Sequence, residues 1–188
     1  MRWGTPLAAT ACLRWRAQAE PSRAAQHCRT VQDDPGFCAL AKSPSGGPAG
    51  SPAAASQPTP AFGAAAPDAE RVSVTDRRIR AVFVLAPMAV VLTPESLAAI
   101  RMPVRVLVAE KDAVLNTRYH GAYVVAHLPG ARAGTVAGAG HFAFMAQSTM
   151  PLPSAAGDAA ANPPGFDRLA FLADLDEQVA AFFAEQWR

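Results

Sequence analysis

The sequence predicts an α/β protein in which a parallel sheet is flanked by helices, and three observations carry that expectation. "IRAVFVLAP", Ile79 to Pro87, is a continuous apolar and β-branched run of the kind that forms a strand covered on both faces. "MPVRVLVAEKD" alternates Val104, Val106 and Val108 and then breaks at Glu110, Lys111 and Asp112, which reads as a second strand ending in a loop. Helical signals separate these runs, and strands alternating with helices point to parallel pairing.

Each element has its own local reason. Thr93-Pro94-Glu95 supplies an N-cap, a first-turn proline and an acid near the positive helix end, opening a short helix through "ESLAAI". After the second strand, Asn116 or Thr117 can cap a helix running to Leu128, which places His120 and His127 on its surface. "PGARAGTVAG" is a third, weaker strand of small residues. The last segment sets Leu172, Leu175, Val179, Phe182 and Gln186 at three- and four-residue steps behind Asp167, predicting a long amphipathic helix that must pack on something.

The chain divides into an N-terminal helical segment (1–42), a low-complexity linker or loop (43–69) and a C-terminal α/β portion (70–188). Six prolines and four glycines with almost no large apolar side chains mark residues 43–69, too little to offset the ordering entropy. Cys28 and Cys38 flank "RTVQDDPGF", where Asp34-Pro35-Gly36 turns the chain back, so the two can pair or remain free thiols. No spacing of the three cysteines suits zinc, and no metal or cofactor is expected.

Composition narrows the function classes. With 51% hydrophobic and 17% charged residues, the 188-residue chain is expected to be globular and soluble. A formal charge of +2 without a basic stripe argues against nucleic acid as a partner. No apolar stretch approaches the roughly 18 residues needed to cross a bilayer, so no membrane partner is expected. "MRWGTPLAATAC" is too short in its apolar part, and broken by Pro6, to read as an export signal. The sequence leaves the compartment unknown, with a cytoplasmic setting the expectation for the chain as it stands.

In open α/β sheets, functional groups sit at the carboxyl ends of strands. Asp112 follows the second strand and His141 the third, 29 positions later, in "VAGAGHFAFM". A carboxylate that accepts from one imidazole nitrogen leaves the other free to take a proton from a hydroxyl. The pair should therefore lie within about 2.6–3.2 Å of each other, with the second nitrogen facing a cavity. Glu110 is the rival acid, ranked second because a strand residue there should point away from the loop. Phe142, Phe144 and Met145 are expected as core and pocket wall.

"VRVLVAEKDAVLNTRYHGAYVVAHLPGARAGTVAGAGHFAFM" resembles the acid-strand, helix and histidine-loop cassette of the α/β-hydrolase superfamily. With "HCRTVQDDPGFCALA", "VLAPMAVVLTPESLAAI" and "PPGFDRLAFLADLDEQVAAFF", the chain is similar to the bacterial dienelactone-hydrolase-like branch. The resemblance implies the C-terminal half of an α/β-hydrolase fold and hydrolysis of a small carboxylic ester or lactone by a Ser-His-Asp triad. It makes Asp112 the acid and His141 the base, and it admits a periplasmic or secreted setting for a full-length member. The G-x-S-x-G nucleophile turn of such enzymes occurs nowhere in the 188 residues; "SPSGG" around Ser45 follows no strand. The alternative is a non-catalytic α/β remnant or interaction protein, able to self-associate through an exposed sheet edge.

Overall fold

A computed structural model describes residues 18–42, 76, 78–154 and 156–187. The leader reading, the linker reading at 43–69 and Ser45 all lie outside the described residues.

Two short helices come first, α1 (Ser22–Thr30) and α2 (Pro35–Lys42), joined by the turn at Asp34. Cys28 and Cys38 are disulfide-bonded across that turn, 10 residues apart. Closing a loop of that size contributes roughly 2–3 kcal/mol, chiefly by restricting the unfolded chain. Three parallel strands follow, β1 (Val82–Leu85), β2 (Val104–Ala109) and β3 (Arg132–Val136), in the order β1-β2-β3. Helix α3 (Pro94–Ala98) connects the first two strands, and α4 (Gly121–His127) connects the next two. A 3₁₀ turn (His141–Phe144), a small hairpin of β4 (Pro153–Ser154) and β5 (Gly157–Asp158), and the long α5 (Arg168–Gln186) complete the order. The α/β class and the parallel sheet are thus present.

Alternation along the strands explains the two-sided burial. Val82 and Val84 of β1, with Val104 and Val106 of β2, face one core that also holds Ala24 and Phe37 from the N-terminal helices, Leu97 and Val124. Leu107 and Ala109 face the other way, against Leu175 of α5, with Phe83, Leu85, Leu172 and Val179 packed around them. Leu175 is wholly buried, which contributes about 1.5–3 kcal/mol for a side chain of that size. Both cores are needed because β1 and β2 are covered on both faces, whereas β3 at the edge remains largely exposed.

The caps at two helices match the sequence. Thr93 accepts a hydrogen bond from the Ser96 amide at α3, and Asp167 accepts from the Ala170 amide at α5. Helix α4 differs from expectation. It begins at Gly121, later than Asn116 or Thr117: the Asn116 oxygen does take the amide two residues on, that of Arg118, but what it caps is the tight turn 117–120, while its nitrogen donates to the Asp33 carbonyl. His120 is consequently the residue before the helix, and it is 1% exposed rather than on the helix surface. His127 is half-buried, its ring Nδ1 on the Tyr123 carbonyl.

Glycine is required where α2 meets the loop after β2. A Cβ on Gly36 would stand 2.6 Å from the Val114 carbonyl oxygen and 2.7 Å from the Val114 Cα, both backbone atoms. Gly36→Ala should destabilise the protein by about 1–3 kcal/mol through overpacking, although alanine is the better helix former. Urea unfolding measures this directly, and a variant as stable as the parent would mean that α2 does not press on that loop.

Candidate active site

The hydrogen bonding of β2 and β3 continues past their ends and brings the two candidate residues together. The Glu110 amide donates to the Val136 carbonyl and the Lys111 amide to the Ala139 carbonyl, so the loops leave the sheet side by side. Asp112 Oδ2 then lies 2.8 Å from His141 Nδ1. Their side chains are 5% and 2% exposed, respectively. In a pair so far from water the carboxylate fixes the ring orientation and its tautomer, with the proton on Nδ1. Among the described residues, Nε2 of His141 has no hydrogen-bonding partner.

Asp112 is itself held by its own loop. Its other oxygen, Oδ1, accepts from the Val114 amide at 2.9 Å and the Leu115 amide at 2.8 Å. The histidine side is shaped by glycines: Gly138 adopts φ +70°, a conformation that side chains resist. A Cβ on Gly140 would lie 3.1 Å from Pro163. Glu110 reaches this turn, where its carboxylate accepts from the Gly138 amide at 2.7 Å and braces the histidine loop, while the carboxylate bonded to His141 is that of Asp112. Phe142 meets the imidazole edge to face at 5.1 Å, and Phe144 is buried against Leu107 and Leu175. Among the described residues no cluster of three or more His, Cys, Asp or Glu could hold a metal.

A small recess lies beside the pair, lined by Ala86, Val108, Asp112, Leu115, Thr117 and His120 among others. His141 is not one of its walls, so this recess is not the cavity expected opposite Nε2. Ala86, at the end of β1, has φ +41°, a strained value for a residue with a side chain.

Three residues that sequence reasoning did not select form a second buried cluster next to the first. Asp34, 1% exposed, accepts at Oδ2 from His120 Nε2 (2.8 Å) and from His27 Nε2 (2.9 Å), and at Oδ1 from the Asn116 amide (3.0 Å). The Ala89 amide donates to His120 Nδ1, which forces the neutral ring to carry its proton on Nε2. The only sequence signal was the predicted turn at Asp34-Pro35-Gly36; nothing in its spacing names a histidine 86 residues further on.

Burial dominates His120 and pushes its pKa below the ordinary 6.5, against the opposing pull of Asp34. Burial would raise the Asp34 carboxyl, but the hydrogen bonds from His120, the Asn116 amide and His27 outweigh it and leave it below 3.8. Both folded-state values lie beneath the unfolded ones. Each group therefore contributes stability that is present above its unfolded pKa and lost as pH falls, His120 from about 6.5 downward and Asp34 below about 4. The urea midpoint of the parent should fall between pH 7 and pH 5.5, and His120→Gln should flatten that slope. An unchanged slope would remove His120 as its source.

No protein-family model, no curated protein and no solved structure matches this chain, so its function rests on the geometry of its own residues.

Proposed function

We propose that this chain supplies the acid and the base of a Ser-His-Asp relay that hydrolyses a small carboxylic ester or lactone, in the manner of the dienelactone-hydrolase-like α/β-hydrolases that its sequence resembles. The observation that carries this reading is the 2.8 Å bond between two buried side chains at the carboxyl ends of neighbouring parallel strands. Nε2 of His141 takes the proton of a serine hydroxyl as the oxygen attacks the acyl carbon, and returns it to the departing alcohol or ring oxygen. The Asp112 carboxylate orients the ring and stabilises the imidazolium that forms. A water deprotonated by the same nitrogen then releases the acid and restores the serine.

No G-x-S-x-G turn occurs in the 188 residues, so the serine of this reaction comes from outside them. A second reading, a non-catalytic interaction module, is favoured by β1, which among the described residues pairs with a strand on one side only.

The 188-residue chain alone should neither turn over p-nitrophenyl acetate nor accept a fluorophosphonate, because a base without nucleophile and oxyanion hole lacks most of the transition-state stabilisation. Joined to a segment that supplies a strand, a G-x-S-x-G turn and a helix, it should hydrolyse the ester, and His141→Ala should then lower kcat on the order of 10⁴-fold. Activity of the joined chain indifferent to His141→Ala would sink the relay. Turnover by the short chain that vanishes in His141→Ala would place the nucleophile within it.

A further inference from the structure

Three consecutive amides of the loop after β2 are held by two carboxylates that come from distant parts of the chain. Asp112 Oδ1 takes the amides of Val114 and Leu115; Asp34 Oδ1 takes that of Asn116. The far end of the same loop is held by the other oxygen of Asp34, through His120. Asp34 therefore grips the acid loop at both ends of the stretch 116–120.

The surroundings of Asp34 are built to keep it there. His27 Nε2 donates to the same oxygen as His120, which fixes the carboxylate plane. The adjacent Cys28 is tied to Cys38 across the turn. The Asp33 carbonyl receives the Asn116 side chain at 2.7 Å, and the Asp33 carboxylate accepts from the Tyr119 hydroxyl at 2.7 Å. Gly36 brings the α2 backbone against Ala113 and Val114, the two residues after Asp112. On its inner side His120 accepts from Ala89, so the loop is also referenced to the chain that leaves β1.

A set of buried polar groups of this kind stabilises little more than an apolar cluster of the same volume, since desolvation offsets most of the Coulombic gain. What it adds is position: a displaced Asn116 drags with it the amides that set the Asp112 carboxylate, and hence the imidazole. We infer that Asp34 is a positioning residue for the Asp112–His141 pair, acting through His120 and the Asn116 amide. This rests on the relay proposed above, for which it names an outer support carried by the disulfide-closed α1–α2 turn.

Proton NMR of the 188-residue chain reads the pair directly. The His141 Nδ1 proton, shielded from water and bonded to a carboxylate, should give a downfield resonance in slow exchange. Asp34→Asn and His120→Leu should each speed its exchange about tenfold, as loss of one net hydrogen bond would, together with the Val114 and Leu115 amides. The Val106 amide in the middle of β2 reports global opening and should not follow. His120→Gln, which keeps a donor toward Asp34, should restore slow exchange. Exchange at His141 that rises only in step with Val106, or remains unchanged in both His120→Leu and Asp34→Asn, would overturn the inference and leave Asp34 a stabilising residue. If Asp34→Asn fails to fold, the contrast between His120→Leu and His120→Gln decides alone. Absence of the downfield proton in the parent would instead strike at the Asp112–His141 pairing itself.

Discussion

Everything at the candidate site hangs on how backbone amides are shared between two buried carboxylates. Asp112 needs one oxygen for His141, so the other must satisfy itself within its own loop, and it does so with the amides of Val114 and Leu115. The next amide, Asn116, is already turned toward Asp34. A carboxylate that accepts backbone hydrogen bonds is held in place. Both anions thereby become fixed features of the loop.

This arrangement divides labour between the two cores. The alternating valines of β1 and β2 set the height and direction at which the chain leaves the sheet, and α5 closes the opposite face with Leu175. The first core reaches the pair only through backbone, the amides of Val114 and Leu115 on Asp112. Orientation at the scale of a hydrogen bond comes from groups that cannot pack as oil: Asp34, His27, His120 and the amide of Ala89. Such a network is worthwhile only when each member is satisfied, because a half-satisfied buried group costs more than an apolar one. Here Asp34 has three donors, and His120 uses both ring nitrogens.

Local signals made much of this legible in the sequence. The continuous apolar run of the first strand, the alternation of the second, the Thr93 and Asp167 caps, and the placement of Asp112 and His141 after successive strands all depend on neighbours within a few residues, and the structure has them where expected. Non-local competition was invisible. Asn116 does serve the backbone two residues on, at the Arg118 amide, yet its nitrogen is drawn to the distant Asp33 carbonyl and the residues it caps form a turn, so the helix starts only at Gly121. His120 was misplaced for the same reason: once the helix start moves, a residue read as facing water becomes the buried link to Asp34. The cysteine pair stood between, since proximity allowed a bridge without requiring it.

The separation between Asp34 and His120 has a consequence for how the polypeptide is made. A ribosome adding about 5–20 residues per second takes roughly 4 to 17 s to travel from one to the other, a distance of 86 residues. Throughout that interval the first carboxylate has been synthesised and its principal partner has not. Cys38 follows Cys28 after only 10 residues, so in an oxidising environment the bond that closes the turn needs nothing from the later chain. Where the bridge closes first, the acid loop emerging later meets a turn whose shape is already set.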